Sequence, residues 1–285
     1  YILKYSRDEK FFKETCKSQC SLRPQGKEIV RTWLYYTLLK CNLLTGKTIF
    51  KDTWINYHIV DDKGHKMSKS VGNVIDPKDI LEKFGAESFR LWAAVEGNLE
   101  KTDFKCSYDR IEGAGKTITK LWNVAKFAKL FPKPEGKSKP TELDKWILNE
   151  TNELVKLATE QYDKYDFHNP AIALRHFIWE TFASHYIELV KSRAYNENKK
   201  FTKEEQNAAL HTLNHCLNII LRLMAPINPM IAYALYKDLY NKDIHFEEFP
   251  KIAKEEKLGF TKDELAELNS QIWKAKKDAG QSLKA

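Results

Sequence analysis

The sequence predicts a mainly α protein, in which part of an α/β domain is followed by an all-α helical bundle. Three observations predict this. Before Asp103 a helix, a buried strand and two short helices follow one another, whereas after Asp103 almost every apolar pattern is helical rather than alternating. The helical half contains a Pro, Gly and Lys-rich connection at 132–141. The division falls between residues 1–106 and 107–285.

Each element has its own local cause. From Gly26 to Leu44, the residues Ile29, Val30, Trp33, Leu34, Thr37 and Leu38 recur at helical spacing, and Gly46 stands just beyond as a stop. Trp54–Val60 is rich in aromatic and branched residues and ends at Asp61, Asp62 and Gly64, which predicts a buried strand running into a loop. Asp76 and Pro77 form an N-cap and first-turn pair for a short helix to Phe84; Gly85 stops it, and Ala86–Glu96 supplies another. Long helices are expected over 107–131, 143–165, 170–195 and 203–224, the last stopped by Pro226. Pro229–Tyr240 is a fifth, Ile244–Phe249 a short extended piece, and Thr261 caps a charged helix reaching about Ala279. Trp33 and Trp92 are read as core aromatics.

At 285 residues, with 42% hydrophobic and 12% aromatic content, the chain can bury real cores and is not a disordered polymer. The 47 Lys and Arg against 39 Asp and Glu leave a formal net charge of +8, which suits a polyanionic partner through counterion release and equally suits simple solubility. Five cysteines argue for reduced thiols and a cytoplasmic protein, and the absence of any Cys-x-x-Cys pair argues against a metal site. No apolar run approaches the ~20 residues that cross a bilayer. The stretch from Tyr1 reads as mid-domain sequence, so the chain is expected to be a fragment.

Lys66-Met67-Ser68-Lys69-Ser70 follows the expected strand, with Gly64 and Gly72 on either side to allow tight turns. Two ammonium groups three residues apart on a mobile loop suit a triphosphate. When a carboxylate attacks an α-phosphate, negative charge builds on the departing pyrophosphate, and cations placed there stabilise the transition state preferentially. An arbitrary Lys-x-x-Lys pair is more often a solvated charged turn.

The whole string matters here. Lys66–Ser70 resembles the second signature of class I aminoacyl-tRNA synthetases, and its continuation Val71-Gly72-Asn73-Val74-Ile75-Asp76-Pro77 resembles their valyl, isoleucyl and leucyl branch. Upstream, Leu22-Arg23-Pro24-Gln25-Gly26-Lys27-Glu28-Ile29-Val30-Arg31-Thr32-Trp33 is similar to the valyl form of the segment bordering the adenylate pocket, and Arg31-Thr32-Trp33 favours valyl over isoleucyl enzymes. Phe89-Arg90-Leu91-Trp92 and Leu121-Trp122-Asn123 also fit. The resemblance, to valyl-tRNA synthetases, covers essentially the entire chain.

It implies a remnant of a Rossmann-type catalytic domain followed by an anticodon-binding bundle. Lys66 and Lys69 would act catalytically on the nucleotide phosphates, and Met67, Ser68 and Ser70 would complete the ATP-binding loop. Gly26 would let the backbone approach the adenylate, and Glu28 would sit near the ribose. The implied substrates are valine and ATP, with Mg2+ accompanying ATP, and the implied partner is tRNA-Val, bound by a monomer. Lys27 departs from the family pattern, where histidine is usual. No His-Ile-Gly-His-like string occurs, so the chain by itself is expected not to activate valine. A noncatalytic tRNA-binding or scaffold paralogue and an isoleucyl enzyme fragment are the competing readings.

Along the helix from Ser107, stepping about 100° per residue, Leu121, Trp122, Ala125 and Ala128 form one stripe while Lys116, Lys120, Asn123 and Phe127 face the other way. Such a basic face can hold phosphates and stack an unpaired base, or Phe127 can pack on a neighbouring helix while the lysines are merely solvated. The resemblance of Leu121–Phe127 to a helix bordering the anticodon site favours tRNA contact by Lys126 and Phe127. Arg175 and Arg193 are candidate phosphate ligands, and Lys274, Lys276 and Lys277 either touch tRNA or keep the last helix soluble. The five histidines from His168 to His215 are read as structural.

Overall fold

The computed structural model describes residues 8, 10, 19–98, 103–136 and 138–280. Cys16 lies outside them. The described residues form two compact units that interleave along the chain: one runs through Asp76 and adds Asn98–Ser107, the other joins Pro77–Gly97 to everything from Tyr108 onward.

The first unit is built on β1 (Cys20–Gly26), which sequence reading missed, and β2 (Phe50–Asn56). The two pair in parallel from Cys20↔Phe50 to Gly26↔Asn56, with α1 (Tyr35–Thr45) in the crossover, giving a βαβ unit. Pro24 and Gly26 disguise β1, because neither favours a strand interior. The expected strand over 54–60 is two strands: β2 ends at Asn56, the chain bends at Tyr57 and His58, and β3 (Ile59–Val60) pairs in parallel with β4 (Phe104–Lys105). Gly46 stops α1 as expected, in a left-handed conformation with φ +67°. No residue of α1 itself is buried. Trp33, expected in a core, is 41% exposed and lies under the Arg23 guanidinium at 3.9 Å. A helix between two parallel strands needs further strands and helices to cover it.

The second unit is all-α. It opens with α2 (Pro77–Glu96), broken at Gly85 (φ 79°, ψ 159°) into the two segments expected, with Trp92 fully buried. Arg90 donates from Nε to the Ile227 carbonyl at 2.7 Å, and Asn228 donates to the Glu87 carbonyl at 2.8 Å. These bonds fasten α2 to the turn at Ile227 and Asn228, which is why it joins the bundle although it precedes Asp103 in sequence. There follow α3 (Tyr108–Lys129), α4 (Glu142–Tyr162), α5 (His168–His176), α6 (Glu188–Tyr195), α7 (Lys203–Met224), α8 (Pro229–Tyr240) and α9 (Lys262–Asp278). Thr141 with Asp144, Thr202 with Glu205 and Thr261 with Glu264 each close a reciprocal capping box at a helix start.

Two local expectations change. The stretch expected as one helix over 170–195 is α-helical at its ends but π-helical over Phe177–Ile187, where Ser184 Oγ donates to the Trp179 carbonyl at 2.7 Å. Ile244–Phe246 is a 3-10 turn rather than an extended piece, capped by Asp243. The core is drawn from facing helices and includes Leu121, Ile147, Leu174, Ile178, Phe182, Tyr186, Leu213 and Leu217. No helix among the described residues is long and apolar enough to cross a membrane.

Candidate functional site

Parallel pairing places the carboxyl ends of β1 and β2 on the same side, where ligands of open α/β sheets bind. Gly26 ends β1, and the next two residues, Lys27 and Glu28, enter a 3-10 turn. Gly26 has ordinary extended dihedrals, so its need is for space: a Cβ there would meet Glu28 Oε1 at 2.7 Å. The Glu28 carboxylate occupies the space that a side chain at residue 26 would fill. His58 Nδ1 approaches Glu28 Oε2 at 3.8 Å.

Lys27, the departure from the family pattern, is turned aside. Its ammonium donates to Asp103 Oδ1 at 2.6 Å and lies 4.9 Å from the Tyr57 ring centroid. The same Asp103 oxygen accepts from the His58 backbone N–H at 2.8 Å. Asp103 thus ties the end of β1 to the bend that aims His58 at Glu28. The Lys27 hydrogen bond, followed by that of the His58 amide, holds its carboxyl below the usual range. Neither Asp103 nor His58 was legible as a site residue, since 76 and 45 residues separate Asp103 from Lys27 and His58.

The lysine loop is built in the same economical way. Asp61, buried at the end of β3, accepts from the His65 N–H at 2.7 Å through Oδ1 and from Asn73 Nδ2 at 2.8 Å through Oδ2. Asn73 then accepts from the Ser68 N–H at 2.9 Å. Asp61 and Asn73 therefore staple the two ends of the loop together, twelve residues apart. Ser68 and Ser70 share a hydroxyl hydrogen bond at 3.0 Å, and Met67 turns inward so that its sulfur accepts from the Ile75 N–H at 3.4 Å. Gly64 and Gly72 adopt φ +89° and +74°, the left-handed turns expected of them. Lys66 and Lys69 remain exposed on the outside of this ring. Their exposure and the folded-back loop give two cations and a set of hydroxyls in a small area, a fit for phosphate oxygens.

In the bundle, α3 buries Ile111, Ala114, Thr117, Leu121, Val124, Ala125 and Ala128. Trp122, expected in that stripe, is instead 40% exposed, with Lys126 Nζ 5.6 Å from its ring. Lys116, Asn123 and Lys126 are exposed as expected, and Lys116 pairs with Glu112 at 3.1 Å. Lys120 is half-buried and lies 4.8 Å from the Trp179 ring, whose Nε1 donates to Thr117. Phe127 is packed edge-on against Phe131 and Tyr195, with centroids 5.1 and 6.0 Å away. Of the two candidate arginines, Arg175 is exposed at the rim of a cavity lined also by Trp92, Glu96 and Arg110. Arg193 is buried and bound to Asp144, so it is not a phosphate ligand.

Residues 3–105 match the model of tRNA synthetases class I (I, L, M and V), and residues 144–285 match the anticodon-binding domain of tRNA ligase. Among curated relatives, the valine–tRNA ligase of Aeropyrum pernix is 38% identical over 99% of this chain and 35% of its own length. That of Pyrobaculum aerophilum is 40% identical over 92% of this chain and 33% of its own, and that of Nanoarchaeum equitans 38% over 99% and 36%. The chain spans about a third of the length of the curated relatives it matches. The Agrobacterium radiobacter K84 LeuRS, solved in a ternary complex with tRNA and LeuAMS, superposes with a TM-score of 0.62 at 18% identity, covering 81% of this chain and 28% of that one. That likeness is one of fold. The two family matches, over residues 3–105 and 144–285, and these relatives together place this chain in the class I tRNA synthetases, among relatives that are valine–tRNA ligases.

Proposed function

We propose that this chain supplies the ATP loop and the tRNA-binding bundle of a cytoplasmic, monomeric valine–tRNA ligase. The reaction joins valine to ATP as valyl-adenylate, releasing pyrophosphate, and then transfers valine to the terminal ribose of tRNA-Val. The observation that carries the reading is the lysine loop, whose ends are pinned by Asp61 and Asn73 while Lys66 and Lys69 stay free to meet the phosphates.

The residues divide the work by position. Lys66 and Lys69 stabilise charge that grows on the β- and γ-phosphates as the bond to the α-phosphate breaks, an effect larger in the transition state than in the ground state. Ser68 and Ser70 offer hydroxyls to the same oxygens. Mg2+ arrives on the triphosphate. At the strand ends, Gly26 admits a close neighbour and Glu28, steadied by His58, accepts from ribose hydroxyls. The basic face of α3, with Lys116, Lys120, Asn123 and Lys126, and the Arg175 rim approach the tRNA backbone. The exposed Trp122, beside Lys126, is the ring of α3 open to a base, while Phe127 contributes through the aromatic cluster it anchors.

The test is valine-dependent ATP–pyrophosphate exchange by the full-length enzyme containing this segment. Lys66→Ala and Lys69→Ala are each expected to lower exchange by about 100- to 1,000-fold, the usual cost of deleting one transition-state charge contact. Exchange at the unaltered rate in both variants would overturn the assignment. The 285-residue chain alone is expected to show no exchange but to prefer tRNA with a valine anticodon over a scrambled anticodon loop at moderate salt.

A further inference from the structure

A carboxylate that recognises a hydroxyl must be held to within a fraction of an ångström, yet Glu28 sits in a short 3-10 turn with its side chain 46% exposed. The residues on either side of it converge on a single atom. Lys27, which precedes it, donates from its ammonium to Asp103 Oδ1 at 2.6 Å, and the His58 backbone N–H donates to the same oxygen at 2.8 Å. His58 is gripped a second time, because its carbonyl accepts from the Phe104 N–H at 3.2 Å. Asp103 and the first residue of β4 therefore engage both backbone groups of His58, in the bend after β2. The mostly covered His58 ring then lies with Nδ1 3.8 Å from Glu28 Oε2.

These contacts set geometry more than stability. Lys27 and Asp103 are each about one-third exposed, so as an ion pair they contribute little to folding. The bond between them is charge-assisted, and with the His58 amide on the same oxygen it fixes the spacing between the residue before Glu28 and the residue facing it. Lys27 stands where the family usually has histidine, and Asp103 lies outside the stretches that resemble the family's motifs.

We propose that Asp103 is a positioning residue for nucleotide recognition: by holding Lys27 and the His58 backbone on one oxygen, it keeps Glu28 where a ribose hydroxyl meets it and so sets the preference for ATP over a deoxy analogue. The inference rests on the ribose-binding reading of Glu28 given under the proposed function. Asp103 acts without touching the nucleotide. Its removal therefore weakens only nucleotides that carry the hydroxyl Glu28 receives.

Equilibrium dialysis of the full-length enzyme containing this segment measures Kd for ATP, 2′-deoxyATP and 3′-deoxyATP. Wild type is expected to bind one deoxy analogue about tenfold or more weakly than ATP, the usual worth of a hydrogen bond to a charged group, and Glu28→Ala to bind the two alike. Asp103→Ala should weaken ATP about three- to tenfold, part of that same hydrogen bond, while leaving the analogue unchanged. In the Glu28→Ala background it should add nothing, because both changes remove one contact. Asp103→Asn still offers an oxygen to both donors and should recover most of the preference. Lys27→Met leaves the backbone clamp in place and should lose only part of it. Circular dichroism melts should show each variant folded. An unchanged preference in Asp103→Ala, an equal loss for ATP and the analogue, or a further loss on top of Glu28→Ala overturns the positioning role while leaving the ribose reading intact. An Asn variant that recovers nothing does the same. Should Asp103→Ala not fold, a full preference in Lys27→Met overturns the role instead. Wild type that binds ATP and both analogues alike overturns the ribose reading, and the inference with it.

Discussion

Asp144, in the first turn of α4, and Arg193, in the last turn of α6, form a two-bonded ion pair sealed inside the bundle. Nη1 meets Oδ2 at 2.8 Å and Nη2 meets Oδ1 at 2.5 Å, with side chains 0% and 8% exposed for Asp144 and Arg193. Tyr186 donates to the same carboxylate at 2.8 Å, and Thr141 closes its capping box on it. Every oxygen lone pair that burial would orphan is thereby used.

Removing one member of this pair strands the other in an apolar core. Arg193→Met is therefore expected to destabilise the bundle by about 3–5 kcal/mol, whereas the double variant Asp144→Leu with Arg193→Met should recover much of that loss. Urea unfolding of the chain checks both. A single variant as stable as wild type would show that the pair contributes nothing to the fold.

Asp61 makes the lysine loop pH-sensitive. The Asn73 hydrogen bond first, and the His65 backbone N–H next, lower its pKa below the ordinary 3.8. A group depressed on folding stabilises the folded loop fully above its ordinary value and loses that contribution as pH falls through the folded one. Amide protection at His65 and Ser68 should therefore persist at neutral pH and fall away only below about pH 4. Hydrogen exchange followed by NMR reads this directly, and Asp61→Ala should show the unprotected pattern at every pH.

Cys216 is fully buried, and burial pushes its thiol up to about 12. Cys20 is exposed. Brief alkylation of the native chain at mildly alkaline pH, mapped by mass spectrometry, should label Cys20 and spare Cys216 until denaturant is added. Burial likewise raises Cys106 and should slow its labelling.

Phe127 and Trp122 make opposite predictions. Phe127→Ala opens the cluster with Phe131 and Tyr195 and should lower stability by about 1–3 kcal/mol, a partly buried version of a core truncation. Trp122→Ala, at an exposed ring, should leave the melting temperature nearly unchanged while weakening tRNA about tenfold. Thermal melts paired with filter binding separate the two effects. Loss of tRNA affinity from Phe127→Ala alone, with stability kept, would return the stacking role to Phe127.

Much was legible in sequence because its causes are local. Capping residues, Gly46, Gly85 and Pro226 act over one or two turns, and the helical periodicity of the bundle needs no partner to be read. The lysine loop was legible for the same reason: its two ammonium groups and its bordering glycines lie within nine residues, from Gly64 to Gly72.

What escaped depends on pairing across distance. β1 is short and interrupted by Pro24, and only its register with β2 makes it a strand. Asp103 lies 76 residues from Lys27, so nothing local marks it as the residue that turns that side chain aside. Arg193 and Arg175 look alike in sequence, yet one is locked against Asp144 and the other reaches solvent. A periodicity states which face of α3 is apolar; whether Trp122 or Phe127 is covered depends on what the neighbouring helices bring, here Tyr195 from α6. The sequence by itself determined the helices, their ends and the chemistry of the lysine loop, because these follow from neighbours a few bonds away. Only the tertiary structure decided which charges are paired and which rings are free, because desolvation and partner distance are properties of the packed chain.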